Sequence, residues 1–297
     1  MNRTRPIFLD TDIGSDPDDA MTLVQMKGAG VDLRGISLGY GPTKLRESIA
    51  RRYLSELRWQ IPLAPGRNDT LSGEKIWLSG REARTLGPLA HFSERSVDAV
   101  SFLAREIRNS PEPCTLLCIA PLTNVAELLT LDPQLRHKIR ELVIMGGDFS
   151  HGKPEHNFKS DVTAANIVLS SGIPTTVVGL DVTQQMKMGK AEIEVIRKAG
   201  SVGQMLAGEI YDWWDFWNEE WSVPHDPVAL VALLRPELFT FSDKGSISVG
   251  AKGKNLGVSK FVVGNGSCRI VETYDVDKVR SIILEQIIEG AKVNAAN

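Results

Sequence analysis

Short apolar runs alternate with helical patterns over the first 180 residues, and this alternation limits the folds that the chain can adopt. The predicted strands cover residues 7–9, 33–38, 61–64, 115–119, 142–145 and 175–180. The predicted helices between them cover residues 18–27, 43–57, 97–107, 124–131 and 162–169. Strands and helices that alternate at this spacing are typical of parallel strands joined by crossover helices. We therefore predict the α/β class, with an open, mostly parallel, Rossmann-like sheet flanked by helices.

The remaining segments depart from this alternation. Residues 66–93 are polar and glycine-rich without a clear period, which is typical of a long loop near a site. After Asp181, short antiparallel strands are predicted within residues 238–274, and helices are predicted at 190–198, 202–220, 226–234 and 276–290. We find no internal repeat and no convincing linker. A single domain over residues 1–297 is therefore expected.

One of these helices is rich in tryptophan. Residues 202–220 contain Trp213, Trp214 and Trp217, which are three of the six tryptophans in the chain. A helix of this kind most often belongs to the core or to an oligomer interface. Its position directly before His225 also suits a pocket wall, where one ring can stack on a planar group. Both interpretations stay open at this point.

Composition indicates a soluble globular protein. The 297 residues are 42% hydrophobic and 24% charged, and the formal net charge is −3, so no nucleic-acid or membrane partner is expected. There is no apolar window long enough for a transmembrane helix and no signal-peptide pattern, so we expect a cytoplasmic location. Three cysteines without CxxC pairs argue against a disulfide framework and a zinc site. We expect Cys114, Cys118 and Cys268 to be reduced core thiols.

The densest concentration of charge follows the first predicted strand. Residues 10–20 read DTDIGSDPDDA and contain five aspartates. Carboxylates this close raise one another's pKa unless a cation or hydrogen-bond donors hold them. Aspartates that cap the helix beginning near Asp18 are the simpler explanation. Capping does not explain Asp10 and Asp12, which lie where a buried strand ends, so we favour a site for a hard cation.

Other polar or glycine-rich segments follow later strands, namely residues 121–124, 145–148 and 180–183. In an open parallel sheet, ligands bind beyond the carboxyl ends of the strands, so these segments are expected to meet at one edge. Oxygen ligands without cysteine or paired histidine favour Ca²⁺ or Mg²⁺. The spacing does not fit an EF-hand, and no P-loop motif occurs. A metal here could activate water and orient the vicinal hydroxyls of a sugar.

Two further motifs carry groups that could take part in chemistry. At His225-Asp226, the carboxylate could reach a metal while the imidazole acts as an acid near neutral pH. An Asp that caps a helix after a structural His explains the same residues equally well. Glu155-His156-Asn157 offers donors and acceptors for sugar hydroxyls, although a polar surface loop explains that motif more simply.

The stretch from Asp10 to Ala20 resembles the signature of the nucleoside hydrolases, N-ribohydrolases that usually read D-T-D-P-G-x-D-D-A in this segment. Further matches follow in the family's order at residues 120–124, 143–147, 155–157, 161, 171–174, 179–183 and 225–227. The resemblance implies the nucleoside hydrolase fold. It also implies Ca²⁺-dependent hydrolysis of the N-glycosidic bond of ribonucleosides to free base and ribose, by metal-activated water, in nucleoside catabolism or purine and pyrimidine salvage. The resemblance further implies that this chain forms a homodimer or homotetramer, like its relatives.

The resemblance implies a ligand set for the Ca²⁺ ion. Asp12 matches the carboxylate that binds the ion and deprotonates the attacking water. Asp19 matches a bidentate ligand. Asp226 matches a third carboxylate ligand that also touches the ribose, and the main-chain carbonyl of Ile119 matches a further ligand.

The resemblance also implies substrate contacts. His225 matches the residue that protonates the leaving base in part of the family. Breaking an N-glycosidic bond builds positive charge on the ribosyl ring and negative charge on the base, so carboxylates stabilise the first and a proton relieves the second. The positions that match ribose contacts are Asp18, Met145, Glu155 and Asn157, together with Asp226.

Four departures from the family pattern concern the base and 5′ side. Residues 15–17 add two positions to the common signature, so Asp16 is either an extra ligand or part of a longer turn. The family's Gly-Asn after the second strand is replaced by residues 39–41, and its His-Gly loop by residues 77–81. The segment from Met145 to Glu155 is shorter than usual. The preferred base therefore stays open.

Two other functions compete with hydrolysis. A metal-dependent ribose- or nucleoside-binding member of the family with altered or little hydrolase activity would explain the missing Asn and His-Gly elements. A phosphotransferase of the haloacid dehalogenase type also places Asp-x-Asp after its first strand. That class needs a downstream Lys and an acidic pair on later strands, whereas this chain has residues 225–227 instead.

Overall fold

The parallel sheet predicted from the alternating pattern is present in the computed structural model, in which we describe residues 5–89 and 97–292. The predicted loop at 66–93 has no helix and no strand in residues 66–89, and its last four residues lie outside the described part. The strands are β1 Pro6–Thr11, β2 Asp32–Leu38, β3 Leu63–Pro65, β4 Cys114–Cys118, β5 Ile139–Met145, β6 Thr175–Val178, β7 Met188–Gly189, β8 Trp221–Ser222, β9 Phe239–Phe241, β10 Gly245–Val249, β11 Ser259–Val263 and β12 Cys268–Tyr274.

Helices separate most of these strands. They are α1 Asp18–Gly28, α2 Thr43–Glu56, α3 Ala99–Asn109, α4 Thr123–Leu131, α5 His156–Ser160, α6 Val162–Leu169, α7 Leu180–Thr183, α8 Lys190–Arg197, α9 Ser201–Trp217, α10 His225–Leu234 and α11 Val276–Ala291. Among the described residues, no helix has both the length and the apolar character needed to cross a membrane.

Ten strands form the main sheet, in the order β11-β10-β12-β6-β5-β4-β1-β2-β3, with β9 paired to β12. The run from β12 to β3 is parallel, while β9, β10 and β11 pair antiparallel. The prediction of antiparallel strands at 238–274 is therefore correct for β9 to β11. It is wrong for one edge of β12, which continues the parallel sheet beside β6.

Strand β1 lies between β2 and β4, and the strand order reverses there because β2 and β3 extend to one side and β4 to β6 to the other. At such a switch point the connecting segments leave in opposite directions, which opens a crevice at the carboxyl ends of the two central strands. The segments that follow β1 and β4 border this crevice. The backbone holds them together, since the Ile119 amide donates to the Asp10 carbonyl at 2.8 Å.

Both faces of the sheet are buried, as expected for parallel strands covered by helices. In β1, Ile7 and Leu9 contribute to one core and Phe8 contributes to the core on the opposite face. The three cysteines are buried and free, which confirms the prediction of reduced core thiols. Burial raises the pKa of the Cys118 thiol well above its usual value, so this thiol is protonated and unreactive.

Helix α1, which carries two of the signature aspartates, packs directly on α11. A Cβ atom at Gly28 would lie 1.8 Å from the Gln286 carbonyl oxygen, and one at Gly290 would lie 2.1 Å from the Val24 carbonyl oxygen. The two helices therefore approach closely enough to exclude side chains at both positions. Gln25 also donates to Gln286 at 2.9 Å. This contact fixes the position from which α1 presents its N-terminus to the crevice.

Helices α2 and α9 meet through a hydrogen bond from the Tyr53 hydroxyl to the Glu209 carboxylate. Burial, and to a lesser degree the charge of Asp212, raises the pKa of Glu209 to about 7. The folded state therefore binds a proton that the unfolded chain releases above pH 4.5. The resulting stabilisation is complete below that pH and is lost as the pH rises through about 7.

We expect Glu209→Gln to raise stability at pH 8 by on the order of 1–3 kcal/mol and to change it little at pH 5, because glutamine accepts the Tyr53 hydrogen bond without ionising. Thermal unfolding from pH 5 to pH 8 measures this difference. The exposed Glu272 provides the control, since Glu272→Gln should leave both values unchanged. Equal shifts in the Glu209 variant at pH 5 and pH 8 would contradict the assignment.

Candidate active site

A cavity of about 360 Å³ opens at the carboxyl ends of β1, β4 and β5. It lies at the switch point of the sheet, where the sequence analysis placed a site. All nine residues predicted to bind the metal or substrate or to take part in catalysis line it, namely Asp12, Asp18, Asp19, Ile119, Met145, Glu155, Asn157, His225 and Asp226. The structure thus brings together side chains that are separated by more than 200 positions in the chain. The chemical role of each one stays a prediction.

The most acidic part of the cavity combines two helix N-termini. Oxygen atoms of Asp18, Asp19 and Asp226 all lie within 4.8 Å of one another, and the three residues are buried. Burial raises the pKa of each carboxyl group well above its ordinary value, and the charges of neighbouring aspartates raise it further. Thr11 donates a hydrogen bond to Asp19, and the Asp226 amide donates to Asp18 at 3.3 Å. This group of carboxylate oxygens suits a hard divalent cation.

The compact acidic group differs from the predicted ligand set in one member. It contains Asp18, which the resemblance assigned to the ribose, and it does not contain Asp12. Asp12 lies instead beside Arg46, with 3.6 Å between the Arg46 Nη2 and Asp12 Oδ2 atoms. Burial raises the pKa of Asp12, while the charges of Arg46 and His156 act against that rise.

Arg46 is a site residue that the sequence analysis missed. Its side chain is completely buried and donates to the carbonyls of Asp12, Ile13 at 3.0 Å and Tyr40 at 2.6 Å. A buried arginine with several carbonyl acceptors fixes the backbone around it. The turn after β1 is therefore held in place from α2. Arg46 occurs in the predicted 43–57 helix as an ordinary polar position, so the sequence gives no signal of this role.

Asp10 supports this turn without lining the cavity. Its Oδ1 atom accepts hydrogen bonds from the Ser37 hydroxyl at 2.5 Å and from the Asn124 amide at 2.9 Å, which joins β1 to β2 and α4. Its Oδ2 atom has no hydrogen-bond partner among the described residues. Burial raises the pKa of Asp10 to about 6.

The two-residue extension of the signature places a further carboxylate in the cavity wall. Asp16 is half-buried, lines the cavity and accepts a hydrogen bond from the Asp18 amide at 3.3 Å. Burial raises the pKa of Asp16 to about 7. Gly14, with a φ of 114°, makes the turn that leads into this extension. Asp16 is therefore part of a longer turn that borders the cavity, and a role as an extra ligand stays a prediction.

Glu155 and Asn157 join the segments that follow β4 and β5. Glu155 caps α5 by accepting from the backbone amides of Asn157 at 2.7 Å and Phe158 at 3.0 Å, and it also accepts from the Gly147 amide at 2.8 Å. The side-chain amide of Asn157 donates to the backbone carbonyls of Ile119 at 3.3 Å and Met145 at 3.2 Å. Glu155 and Asn157 are buried, whereas His156 between them is exposed. The alternative of a polar surface loop is therefore wrong for Glu155 and Asn157.

His225 begins α10 and faces the same cavity. Its Nδ1 atom lies 2.6 Å from the hydroxyl of Thr183, at the end of α7. Burial lowers the pKa of His225 to about 4, so the imidazole is neutral at pH 7. A neutral imidazole can donate a hydrogen bond through the nitrogen that carries its proton. The contact with Thr183 fixes the orientation of the ring.

Aromatic side chains form the outer wall of the cavity. Trp213 and Trp217 of α9 line it, which confirms the interpretation of the tryptophan-rich helix as a pocket wall, whereas Trp214 is buried and donates to Ser222 at 2.7 Å. Trp77, which the sequence analysis did not single out as a site residue, completes the wall. Its ring lies 6.4 Å from the Trp213 ring, edge to face. The inner cavity is therefore acidic and the outer cavity aromatic.

A doubly wound sheet with a cleft of buried carboxylates at its switch point and aromatic rings at its mouth is typical of an α/β enzyme that acts on a small molecule. The sequence model of the family described as inosine-uridine preferring nucleoside hydrolase matches residues 7–281. The chain therefore belongs to this family and is a hydrolase that acts on the N-glycosyl bonds of ribonucleosides.

Curated relatives are consistent with this assignment. The pyrimidine-specific ribonucleoside hydrolase RihA of Salmonella arizonae is 34% identical over 268 residues, which cover 84% of this chain and 85% of the relative. RihA of Klebsiella pneumoniae is 32% identical over 272 residues, with the same coverage.

Solved structures share the fold. A plant nucleoside hydrolase, the PpNRh1 enzyme, superposes with a TM-score of 0.86 at 24% identity, covering 96% of this chain and 99% of that one. The purine-preferring ribonucleoside hydrolase from Gardnerella vaginalis superposes with a TM-score of 0.87 at 22% identity, covering 97% and 100%. These likenesses confirm the predicted mostly parallel sheet flanked by helices.

Proposed function

We propose that this enzyme hydrolyses ribonucleosides to free base and ribose with a bound Ca²⁺ ion. The observation that carries the proposal is the convergence of buried aspartates from the turn after β1, from α1 and from α10 at the inner end of the cavity. The proposed ligands are the carboxylates of Asp12, Asp19 and Asp226 and the carbonyl of Ile119. We assign Asp18, which lies in the same acidic group, to the ribose.

The donor set fits this ion. The acidic group offers carboxylate oxygens without a thiol, and hard oxygen ligands of this kind favour Ca²⁺ over zinc. The raised pKa of these carboxyl groups means that their ionised forms are unfavourable without a counter-charge. When bound, the ion would supply the charge that lowers the pKa of water and would orient the vicinal hydroxyls of the ribose.

Asp12 is the proposed general base. Arg46 donates hydrogen bonds to the backbone carbonyls of Asp12 and Ile13 and so fixes the turn after β1. The Asp12 carboxylate therefore keeps one orientation in the cavity. Asp12 then takes the proton of the attacking water. The neighbouring carboxylates face the sugar, where they stabilise the positive charge that develops on the ribosyl ring as the bond breaks.

The leaving base occupies the outer cavity in this proposal. Trp77 and Trp213 offer faces and edges for a planar ring. His225, oriented by Thr183, donates a hydrogen bond or a proton to the base as negative charge develops on it. Because the imidazole is neutral at pH 7, it acts through its remaining N–H proton.

The relatives suggest which substrates to test first. The RihA proteins at 32–34% identity are named pyrimidine-specific, which supports pyrimidine ribonucleosides such as uridine. The preferred base stays a proposal, since the positions that depart from the family pattern lie on the base side. The oligomeric state and the cytoplasmic location also stay predictions.

Ribose release from a panel of purine and pyrimidine ribonucleosides, assayed with Ca²⁺ present, tests the proposal. We expect release from at least one of them, with uridine as the first candidate. Absence of release from the whole panel would overturn the activity claim. Calorimetry then separates the remaining possibilities, because nucleoside binding without hydrolysis would identify a binding protein that retains the metal site.

A further inference from the structure

Residues 76–86, which we call the strap, cross from the sheet to α9 over the mouth of the cavity. They carry Trp77, which forms part of the aromatic wall. The strap has no helix and no strand, so its position depends on side-chain contacts. Its course can be followed through three of these contacts.

Two of the contacts hold the strap to the sheet side of the cavity. The Trp77 amide donates to the Tyr40 hydroxyl at 2.9 Å, and Tyr40 is buried after β2 in a left-handed conformation with φ 61°. Glu82 accepts from Ser15 at 3.3 Å, and Ser15 belongs to the two-residue extension of the signature. Tyr40 and the extension are both departures from the common family pattern. Both departures therefore supply a hydrogen-bond partner to the strap.

The third contact joins the strap to α9. Arg81 donates from Nη1 to the Asp212 carboxylate at 2.7 Å and to the Asp212 carbonyl at 3.2 Å. Its guanidinium also lies 5.4 Å from the centre of the Phe216 ring. The ion pair is partly shielded, with side chains 22% and 16% exposed. Asp212 directly precedes Trp213, so this contact fixes the strap beside one ring of the aromatic wall.

We propose that the Arg81–Asp212 pair is a positioning latch, which holds Trp77 against Trp213 so that the aromatic wall is formed before a base enters. The inference rests on the proposed function, because it takes the outer cavity as the place of the base. Preformed walls bind more tightly than walls that must be ordered on binding. Neither latch residue lines the cavity that holds the acidic group, so the latch acts on the base and leaves the ribose site unchanged.

Steady-state kinetics of the Ca²⁺-loaded enzyme on uridine and inosine test the latch. Arg81→Ala and Asp212→Ala should each raise KM about five- to tenfold while kcat stays within about twofold, because uniform binding is lost. The double variant should be no worse than either single one. Arg81→Lys should recover part of the loss, since it keeps the charge and loses the planar fork. The inhibition constant of free ribose, which has no base, should not change.

Arg84 provides the matched control. It lies 3.5 Å from the same Asp212 carboxylate but is 61% exposed, so Arg84→Ala should change KM less than twofold. An unchanged KM in Arg81→Ala, additive effects in the double variant, or an equal rise in the ribose inhibition constant would overturn the latch.

Hydrogen exchange separates this outcome from failure of the proposed function. Amides of residues 76–86 should exchange faster in Arg81→Ala than in the wild type without any nucleoside present. If the wild type hydrolyses no nucleoside, the proposed function fails while the exchange result still tests the latch. Unchanged exchange in this segment would overturn the latch even in an active enzyme.

Discussion

Asp12→Asn is expected to reduce kcat for ribose release by about 10²–10⁴-fold, the range that a positioned general base contributes. Asparagine keeps the size of the side chain and can still face Arg46, but it cannot take a proton from water. The substitution also removes one negative charge from a buried acidic site, so the fold should be retained. Ribose release from the best substrate of the panel, followed with Ca²⁺ present, measures the effect.

Asp277→Asn is the control for this experiment. The Asp277 side chain is 90% exposed at the start of α11 and does not line the cavity, so kcat should stay at the wild-type value. Thermal unfolding of both variants shows whether the fold is intact. Activity within tenfold of the wild type in a folded Asp12→Asn enzyme would remove Asp12 as the base.

Removal of Ca²⁺ by chelation is expected to reduce ribose release to the background rate and to lower Tm by several degrees at pH 7. The acidic group then has no counter-ion at a pH where its carboxyl groups should ionise. A ligand present at 100 times its Kd contributes about 2.7 kcal/mol to the stability of the folded state, which corresponds to roughly 4 °C in a chain of this size. Differential scanning fluorimetry with chelator and with Ca²⁺ added back measures the shift.

The sign of the pH dependence follows from the raised pKa values. Burial raises the pKa of Asp10 to about 6 and that of Asp16 to about 7, above their unfolded values. The folded chelated protein therefore binds more protons than the unfolded chain, and this stabilisation is lost as the pH rises from about 4 to 7. The Tm gained on adding Ca²⁺ should accordingly be larger at pH 8 than at pH 5. A gain that is the same at both pH values would contradict a carboxylate site.

Much of the site could be predicted because it follows strand ends. The fold rule places the segments after β1, β4 and β5 at one edge, and the density of aspartates in residues 10–20 marks that edge as acidic. These signals are local in sequence. They placed Asp19 at this edge, whereas Asp226 was assigned to the same site by the resemblance of residues 225–227 to the family.

The residues that were missed depend on tertiary contacts alone. Arg46 looks like any polar position of an amphipathic helix until the turn after β1 folds against it. Trp77 lies in a segment without periodicity, where strand and helix rules give no orientation. Tyr40 was noted as a departure from the family, but its partners Trp77 and Ser160 are known only once three segments meet.

The predicted ends of one helix and one strand also differ from those in the structure. The helix predicted at 202–220 ends at Trp217, because Asn218 adopts a left-handed conformation with φ 55° that stops the helix. The strand predicted at 175–180 ends at Val178, since Leu180 begins the short helix α7. Apolar residues continue past the end of β6, so hydrophobic pattern alone extends that strand too far.

The acidic group also contains contacts that are expected to form late in folding. The hydrogen bond from the Asp226 amide to Asp18 joins residues 208 positions apart, and contacts with such long loop closure form late. In a chain under synthesis the N-terminal half emerges first, with its aspartates still hydrated and mutually repelling. Their charges come together with Asp226 only when α10 docks. Docking of α10 is therefore the step at which the nascent chain completes the proposed ligand set for Ca²⁺.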